Sequence, residues 1–459
     1  MNERWHRPAK ERRAWRCVAA GVMAMACCLG GGQGVAPGGS GGGNGLIASA
    51  APDWPQWRGP RRDGICDETG LLGQWPKEGP RKLWSAAGLG RGYSAPIVVK
   101  GRIFLCGDFE DELRVIALDL EGRPIWQTAQ GRSWKNPYPG ARASCTWSEG
   151  RLFHLNAHGR LACLDPDTGR ELWAADILER FEGRNITWAL SECVLVDGDR
   201  VIVTPGGRRA LMAALDIRTG ETVWASEPLR LGATADAAHA RVAEPAGEVD
   251  GASYASPILL RLDGRRQIVN CSERHVFGVD AESGRLLWTR PLPTRHRVIA
   301  STPVWCGDSV FVTAPDTEEG GLYRLGMEGD RAQVELLWKT QLDTCQGGVV
   351  RVGDALYGSW YRRQRGWACV DLGSGGIRYE NRELAMGPVL YADGRLYCLS
   401  QEGEMALLEP TPGGFEIRGR FRLVEKRTSD AWTHPVIHGG RLLLRYHERL
   451  DAYGIGAGQ

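Results

Sequence analysis

The chain has 459 residues, which is too long for one ordinary globular core and indicates several domains or a repeat array. Charged residues make up 24% and hydrophobic residues 42%, values typical of a folded chain that exclude a disordered one. The formal net charge is +2, but residues 1–16 carry six basic side chains against Glu3 and Glu11, so the remainder is slightly acidic. Without a basic stripe in that remainder, the sequence gives no support for nucleic-acid binding.

The first predicted element is a secretory leader. An apolar run at residues 17–29 follows the basic segment, which is the order of a signal peptide, and it is short for a membrane span. A small-residue cleavage site lies at residues 48–50, beyond a Gly-rich stretch. We therefore predict that residues 1–50 are a signal or leader segment with a Gly-rich linker. The product is expected in the periplasm or cell envelope, tethered to the membrane if the leader is retained, with no membrane span beyond it.

The cysteines are predicted to be packing residues. Ten of the 13 lie beyond the leader without a CxxC pair, and Cys106, Cys163 and Cys398 sit in strand-like apolar runs. Zinc sites need closely spaced ligand pairs, so we predict no metal site. The spacing leaves any disulfide pairing open.

One signature recurs through the rest of the chain: a small residue, then Asp two positions on, Gly four later and Trp four after that. An apolar strand that runs into Asp and a positive-φ Gly is typical of a β-hairpin. The Trp at a fixed distance past the turn predicts an anchor that packs between neighbouring units. The copies are ALDLEGRPIW (117–126), CLDPDTGRELW (163–173), ALDIRTGETVW (214–224), GVDAESGRLLW (278–288) and CVDLGSGGIRY (369–379), with degenerate copies ending near Trp338 and Phe421.

A second strand pair, joined by a Gly-containing turn, occurs eight times. These pairs begin near residues 94, 145, 193, 256, 302, 348, 388 and 434. Each repeat is thus four short antiparallel strands, and such sheets arranged radially make a β-propeller. We predict an all-β, eight-bladed propeller over residues 51–459 as a single domain, with seven blades left open because the copies near 322–338 and 407–421 are poor.

The ends of the repeat indicate how the ring closes. The last copy stops after Tyr453 without a Gly-to-Trp strand, whereas residues 82–84 (KLW) stand alone before the first full unit. We predict that the N-terminal strand completes the C-terminal blade. Residues 229–251 and 127–143 are predicted to be long loops, the first with a short helix as an alternative.

The first strand of each blade should line the central channel, so the residues that open these strands should form a ring at one mouth. Small residues at most of these positions predict close packing at a crowded axis. Larger or ionisable residues at this ring or close to it are candidates for an axial binding site: Glu192, Arg142, Trp188, His434 and Trp432. The aligned ring positions are Ala95, Ser144, Glu192, Ser256, Thr302, Gly347, Gly387 and His434, with Tyr93 and Tyr254 close by.

The hairpin signature resembles the pyrroloquinoline-quinone (PQQ)-like propeller repeat of the quinoprotein alcohol dehydrogenase-like superfamily and of the assembly lipoprotein BamB. Residues 53–65 (DWPQWRGPRRDGI), 138–144 (YPGARAS) and 185–207 resemble a BamB-like group of exported propellers common in planctomycete-type bacteria. This resemblance implies a noncatalytic binding or scaffolding surface in the cell envelope. It would bind a protein partner or envelope component through its face loops, and we expect a monomer.

The alternative is a PQQ-dependent quinoprotein dehydrogenase of reduced size. In those enzymes the quinone lies on a Trp floor beneath a disulfide between adjacent cysteines, beside a calcium ion. Here the only adjacent cysteines, Cys27 and Cys28, fall in the leader, and beyond residue 50 no CxxCH, Gly-x-Ser-x-Gly, P-loop or GxGxxG motif occurs. We therefore assign no catalytic residue or metal ligand and expect no cofactor, with PQQ and calcium as the alternative.

Overall fold

The computed structural model of the protein describes residues 51–231, 248–329 and 331–458. The predicted leader and most of the predicted loop at 229–251 lie outside these residues. All elements given below belong to the unit formed by residues 50–459.

The described strands form eight four-stranded antiparallel sheets, which confirms the eight-bladed propeller. Each blade is given with its strands from the axis outward. They are blade 1, Ile97–Val99, Arg102–Phe109, Glu112–Asp119 and Pro124–Arg132; blade 2, Thr146–Ser148, Arg151–Leu155, Arg160–Leu164 and Glu171–Asp176; blade 3, Leu195–Asp197, Arg200–Val203, Ala213–Asp216 and Thr222–Ala225; blade 4, Ile258–Leu262, Arg265–Cys271, His275–Asp280 and Leu286–Pro291; blade 5, Val304–Trp305, Ser309–Val312, Gly321–Glu328 and Arg331–Lys339; blade 6, Val349–Val352, Ala355–Ser359, Trp367–Asp371 and Ile377–Asn381; blade 7, Val389–Ala392, Arg395–Leu399, Glu404–Thr411 and Gly414–Arg422; and blade 8, Val436–His438, Arg441–Tyr446, Arg449–Gly454 and Lys82–Ala86.

The ring closes as predicted. Lys82–Ala86 pairs antiparallel with Arg449–Gly454, with Trp84 opposite Ala452, so the N-terminal strand is the outer strand of the C-terminal blade. Blade 7 carries an additional short strand, Ile65–Cys66, which pairs parallel with its inner strand.

The signature Trp packs between blades, also as predicted. Trp173 of blade 2 donates its indole N–H to the Ile217 carbonyl of blade 3 at 3.0 Å. Gly220 lies against the same indole, and a Cβ there would come within 2.7 Å of it. Trp288 departs from the pattern because blade 5 lacks the signature, and it donates to Gln267 within its own blade. The same Trp-on-Gly contact recurs in Trp84 with Gly122, Trp126 with Gly169, Trp224 with Gly284 and Trp338 with Gly375.

Two features differ from the sequence prediction. The degenerate copies in blades 5 and 7 are longer hairpins, in which only two residues separate the third strand from the outer strand, so the Asp-to-Gly turn is absent there. Residues 127–132 are not loop but continue the outer strand of blade 1. At the base of the predicted loop at 229–251, the Leu231 N–H donates to the Glu248 carbonyl and the Asp250 N–H to the Leu229 carbonyl, each at 2.8 Å.

Residues 54–66, called the axial segment here, run along the inner strands of the ring. Positive φ angles at Arg58 (62°) and Arg62 (57°) turn the segment within this narrow space. Its contacts reach six blades: Trp54 with Val98, Pro55 with Trp147, Arg62 with Cys193 and Val194, Arg58 with Val349, Gly64 with Tyr391, and Cys66 with Ile437.

The helix Ile177–Arg180 follows blade 2, and the Asp176 side chain caps it by accepting the Glu179 N–H. Within the described part of the chain, no helix has the length and apolar character needed to cross a membrane.

Candidate functional site

A cavity of about 470 Å³ opens at one end of the propeller axis. Its wall comes from the connectors between successive blades and from the loops between the second and third strands of blades 5 to 7. Trp57 of the axial segment and His434 lie at its base with their rings in edge contact, centroids 5.2 Å apart. The lining includes seven Trp or Tyr side chains: Trp57, Tyr93, Tyr138, Trp188, Tyr254, Tyr361 and Trp432.

Five of these aromatic side chains form two groups. Trp432 contacts Tyr93 and Tyr138, with ring centroids 5.4 and 5.2 Å away. Trp188 contacts Tyr254 at 6.0 Å, and the Tyr254 hydroxyl accepts the Trp188 backbone N–H. The cavity therefore offers aromatic surface on two groups of connectors, as ligand pockets and protein interfaces commonly do.

Arg142 links the two aromatic groups. Its Nε donates to the Trp188 carbonyl at 2.7 Å and an Nη donates to the Tyr138 carbonyl at 2.8 Å. Burial lowers the pKa of this guanidinium to about 10, which leaves it charged at neutral pH. Arg142 thus fixes two connectors and adds a positive charge to the wall.

The two carboxylates of the described lining are both held by arginines. Asp316 accepts from Arg362 at 3.2 Å, and Asp430 pairs with Arg427. Near the base of the cavity, Arg58 and Arg62 are almost fully buried, and burial lowers the pKa of each to about 10. The base is therefore electropositive, and the wall has no carboxylate left without a cationic partner among the described residues.

His434 is neutral in this setting. Its Nε2 donates to the Gln346 carbonyl at 3.1 Å. Burial, followed by the charge of Arg58, lowers the pKa of the imidazole to about 3. The ring serves as part of the cavity base rather than as a cation.

The structure brings four of the five predicted site residues to the cavity: Arg142, Trp188, His434 and Trp432. Glu192 is not in the lining and is only 2% exposed. Its neighbours Ser191 and Cys193 both line the cavity, so the side chain of Glu192 between them is directed away from it. Burial raises the pKa of Glu192 to about 8, against opposing hydrogen bonding by Thr204 and the charge of Arg62.

The predicted ring of small residues is closely packed. A Cβ on Gly347 would come within 2.3 Å of the Gly387 carbonyl oxygen, so the axis has no room there for a side chain. Ala95, Ser144 and Thr302 are all buried. These positions pack the ring, while Ser256 also reaches the cavity.

Sequence reasoning missed several lining residues. Asp316, Tyr361 and Gln401 lie in loops between second and third strands, which the hairpin signature does not mark. The sequence did contain a signal for Trp57, because this residue belongs to the distinctive segment DWPQWRGPRRDGI. No periodicity in the sequence, however, places that segment on the axis.

The residues present do not fit a quinone with calcium. Calcium needs six or more oxygen ligands, commonly from several carboxylates. No group of three or more His, Cys, Asp or Glu side chains placed to hold a metal occurs among the described residues, and both cavity carboxylates are engaged by arginines. The adjacent pair Cys27 and Cys28 lies outside the described residues.

Comparison with known proteins gives a consistent family assignment for the repeat. Residues 111–380 match the family model described as outer membrane protein assembly factor BamB. BamB of Yersinia pestis is 25% identical over 257 residues, which cover 50% of this chain and 63% of that protein, less than two thirds of its length.

Solved structures share the fold. BamB from Moraxella catarrhalis superposes with a TM-score of 0.56 at 16% identity, covering 82% of this chain and 100% of that one. The quinohemoprotein alcohol dehydrogenase from Comamonas testosteroni superposes with a TM-score of 0.60 at 12% identity, covering 90% of this chain and 82% of that one. At these identities the likeness shows the fold alone.

Proposed function

Because the chain belongs to the outer membrane protein assembly factor BamB family, we propose that it is a noncatalytic, exported propeller that acts as a binding and scaffolding surface in the cell envelope. In this proposal residues 1–50 are the leader with its linker, residues 51–459 are a single propeller domain, and the protein is a monomer.

The observation that carries the proposal is the composition of the axial cavity. Seven aromatic side chains line it, and each of the two carboxylates in its described lining is paired with an arginine. A general base or a metal ligand would need a carboxylate available to a substrate or ion. Aromatic and arginine side chains are the residues that most often dominate binding energy at protein interfaces.

The partner we propose is a protein or another component of the envelope that inserts an apolar or aromatic group at the cavity mouth. Tyr138 is 46% exposed at this mouth, although it contacts Trp432. A large aromatic side chain left exposed beside a cavity is a typical anchor for a partner. The role named in the family's description, outer membrane protein assembly, supports an envelope partner.

The second candidate, a PQQ-dependent dehydrogenase of reduced size, has in its favour the aromatic cavity on the axis and the shared fold. A calcium-bound quinone would also require oxygen ligands that converge beside an aromatic floor. Since the described residues lack that donor set, we favour the binding function.

Site-specific photocrosslinking tests the binding function. A photoreactive phenylalanine analogue at Tyr138 would report partners at the cavity mouth in the producing cell. The same analogue at Val223, which is 47% exposed on the outer strand of blade 3, is the matched control for exposure. We expect one discrete crosslinked envelope protein from Tyr138, reduced at least tenfold by Trp432→Ala, and none from Val223.

Equal crosslinking from both positions would mean that no specific partner occupies the mouth and would contradict the proposal. Absence of any crosslink from Tyr138, in cells where the chain is confirmed in the envelope fraction, would also contradict it.

A further inference from the structure

Two cysteine thiols meet between blades 1 and 2. Cys106 lies on the second strand of blade 1, and Cys145 immediately precedes the inner strand of blade 2. Their Sγ atoms are 3.5 Å apart, and both side chains are fully buried within one apolar cluster. The sulfurs are therefore in contact while their backbones belong to different blades.

The backbone around Cys106 is held in place on several sides. Its N–H donates to the Ser94 Oγ at 3.0 Å, and its carbonyl accepts from Arg445 at 2.6 Å. Arg445 belongs to blade 8, so this part of blade 1 is fixed independently of blade 2. Such fixed placement keeps the two sulfurs facing each other, which is the first requirement for a covalent bond between them.

We propose that Cys106 and Cys145 are joined by a disulfide that ties blade 1 to blade 2 when the chain folds in an oxidising compartment. A bond length of ~2.05 Å requires the sulfurs to approach by about 1.5 Å, which small side-chain rotations provide. The bond closes a loop of roughly 40 residues, a length for which restriction of the unfolded chain stabilises the fold appreciably.

The surroundings favour Cys106 as the first thiol to react, because the contact with Cys106 and burial raise the pKa of Cys145. Burial opposes ionisation of Cys106, but the Cys145 thiol, His154 and Arg445 outweigh it and lower the pKa of Cys106. The thiolate attacks a disulfide of an oxidant such as oxidised glutathione, forming a mixed disulfide and releasing one reduced thiol. The Cys145 thiolate then attacks the Cys106 sulfur and releases the second. Two protein thiols are oxidised, one oxidant disulfide is reduced, and two protons pass to the released thiols.

Oxidative refolding of the full chain tests the pairing without depending on export. The reduced, denatured protein is refolded in a glutathione redox buffer, its remaining thiols are alkylated under denaturing conditions, and it is digested with trypsin without reduction. We expect the peptides 103–114 (IFLCGDFEDELR) and 143–151 (ASCTWSEGR) to appear as one linked species, two hydrogen masses lighter than their sum. Reduction should separate them.

Cys163 and Cys193 are the internal controls. Cys163 directs its Sγ to the Ile217 carbonyl at 3.8 Å, so its peptide should be alkylated. Cys193 lies near the pair because its Sγ accepts the Ser144 N–H at 3.2 Å. A Cys145–Cys193 link in the refolded protein would overturn the proposal, as would alkylated Cys106 and Cys145 in protein that has regained its native circular dichroism.

The variant Cys145→Ser distinguishes the stability contributed by the disulfide from the stability contributed by packing of the side chain. It should leave Cys106 alkylated and lower the melting temperature of the oxidised protein by several degrees, while reduced wild type and reduced variant melt within about two degrees of each other. Equal melting of oxidised wild type and variant would contradict the stabilising role. The pairing depends on the proposed function only through the oxidising compartment. If the protein taken from the producing cell has reduced Cys106 and Cys145 but forms the Cys106–Cys145 disulfide on refolding, the result would count against export and not against the pairing.

Discussion

The indole N–H of Trp84 donates to the Leu120 carbonyl at 2.9 Å across the junction of blades 8 and 1. Trp84 precedes blade 1 in the chain but belongs to blade 8 in the structure. The junction that closes the ring therefore uses the same Trp contact that joins blade 2 to blade 3 through Trp173. Closure is one more copy of the repeat, completed by residues from both ends of the domain.

Gly122→Ala tests this closure. A Cβ at Gly122 would come within 2.7 Å of the Trp84 ring, whereas a Cβ at Gly101 would have nothing within 4 Å. Both glycines are in blade 1 with nearly equal φ angles, 78° and 75°, so the backbone strain of alanine is matched. We expect Gly122→Ala to lower the free energy of unfolding by about 2 kcal/mol more than Gly101→Ala, measured by urea denaturation. Equal losses would mean that the Trp84 contact does not constrain closure.

Arg445→Met tests a second set of hydrogen bonds across the same junction of blades 8 and 1. Arg445 is 0% exposed, and its guanidinium donates to blade 1, to the segment that precedes that blade, and to its own blade. Removing it takes the guanidinium donor away from several buried carbonyls, so we expect a loss of about 3 kcal/mol in the free energy of unfolding. The exposed Arg422→Met should change it by less than about 0.5 kcal/mol. The acceptors of Arg445 are the carbonyls of Gly90, Ser94, Cys106 and His447 and the hydroxyl of Ser94.

If Arg445→Met lowers the free energy of unfolding by less than about 1 kcal/mol, water replaces the guanidinium and the hydrogen bonds of Arg445 add little to ring closure.

Glu192→Gln tests the buried carboxyl. Burial raises the pKa of Glu192 from 4.5 to about 8, so the folded state retains its proton where the unfolded state has lost it. Its contribution to stability is fully present below about pH 4.5 and is lost as the pH rises towards 8. We expect wild-type protein to lose on the order of a few kcal/mol relative to Glu192→Gln between pH 5 and 8, measured by denaturation at each pH. Parallel pH profiles would show that Glu192 is ionised in the folded state.

Much of the fold could be predicted because each repeat is specified by residues that are close together in the sequence. Asp-to-Gly turns and the following Trp specify a hairpin and its contact with the next blade, as in Asp216, Gly220 and Trp224. Where the strands are longer and only two residues separate them, as between Gly321–Glu328 and Arg331–Lys339, the pattern weakens although the strands still pair. The number of blades could still be predicted, because the pattern of the inner hairpin recurs in the sequence even in the blades where the outer hairpin pattern is lost.

The site could be predicted only in part. Trp188 and Trp432 were placed by their distance from the inner strands, and they line the cavity. Glu192 was aligned to the ring at the start of an inner strand, but its side chain is buried, whereas those of Ser191 and Cys193 on either side reach the cavity. Trp57 and Tyr361 belong to segments without a repeat period, and only the folded ring brings them to the axis.

We propose that the axial cavity binds a partner without a redox cofactor, and a titration of the purified protein with PQQ and calcium tests this most directly. Cofactor absorbance and melting temperature are followed in wild type and in Trp57→Ala, which removes the aromatic base of the cavity. We predict no saturable change in either signal at any calcium concentration, in either protein. Saturable binding of one equivalent that requires calcium and is lost in Trp57→Ala would contradict the account and establish the dehydrogenase alternative as the one to pursue.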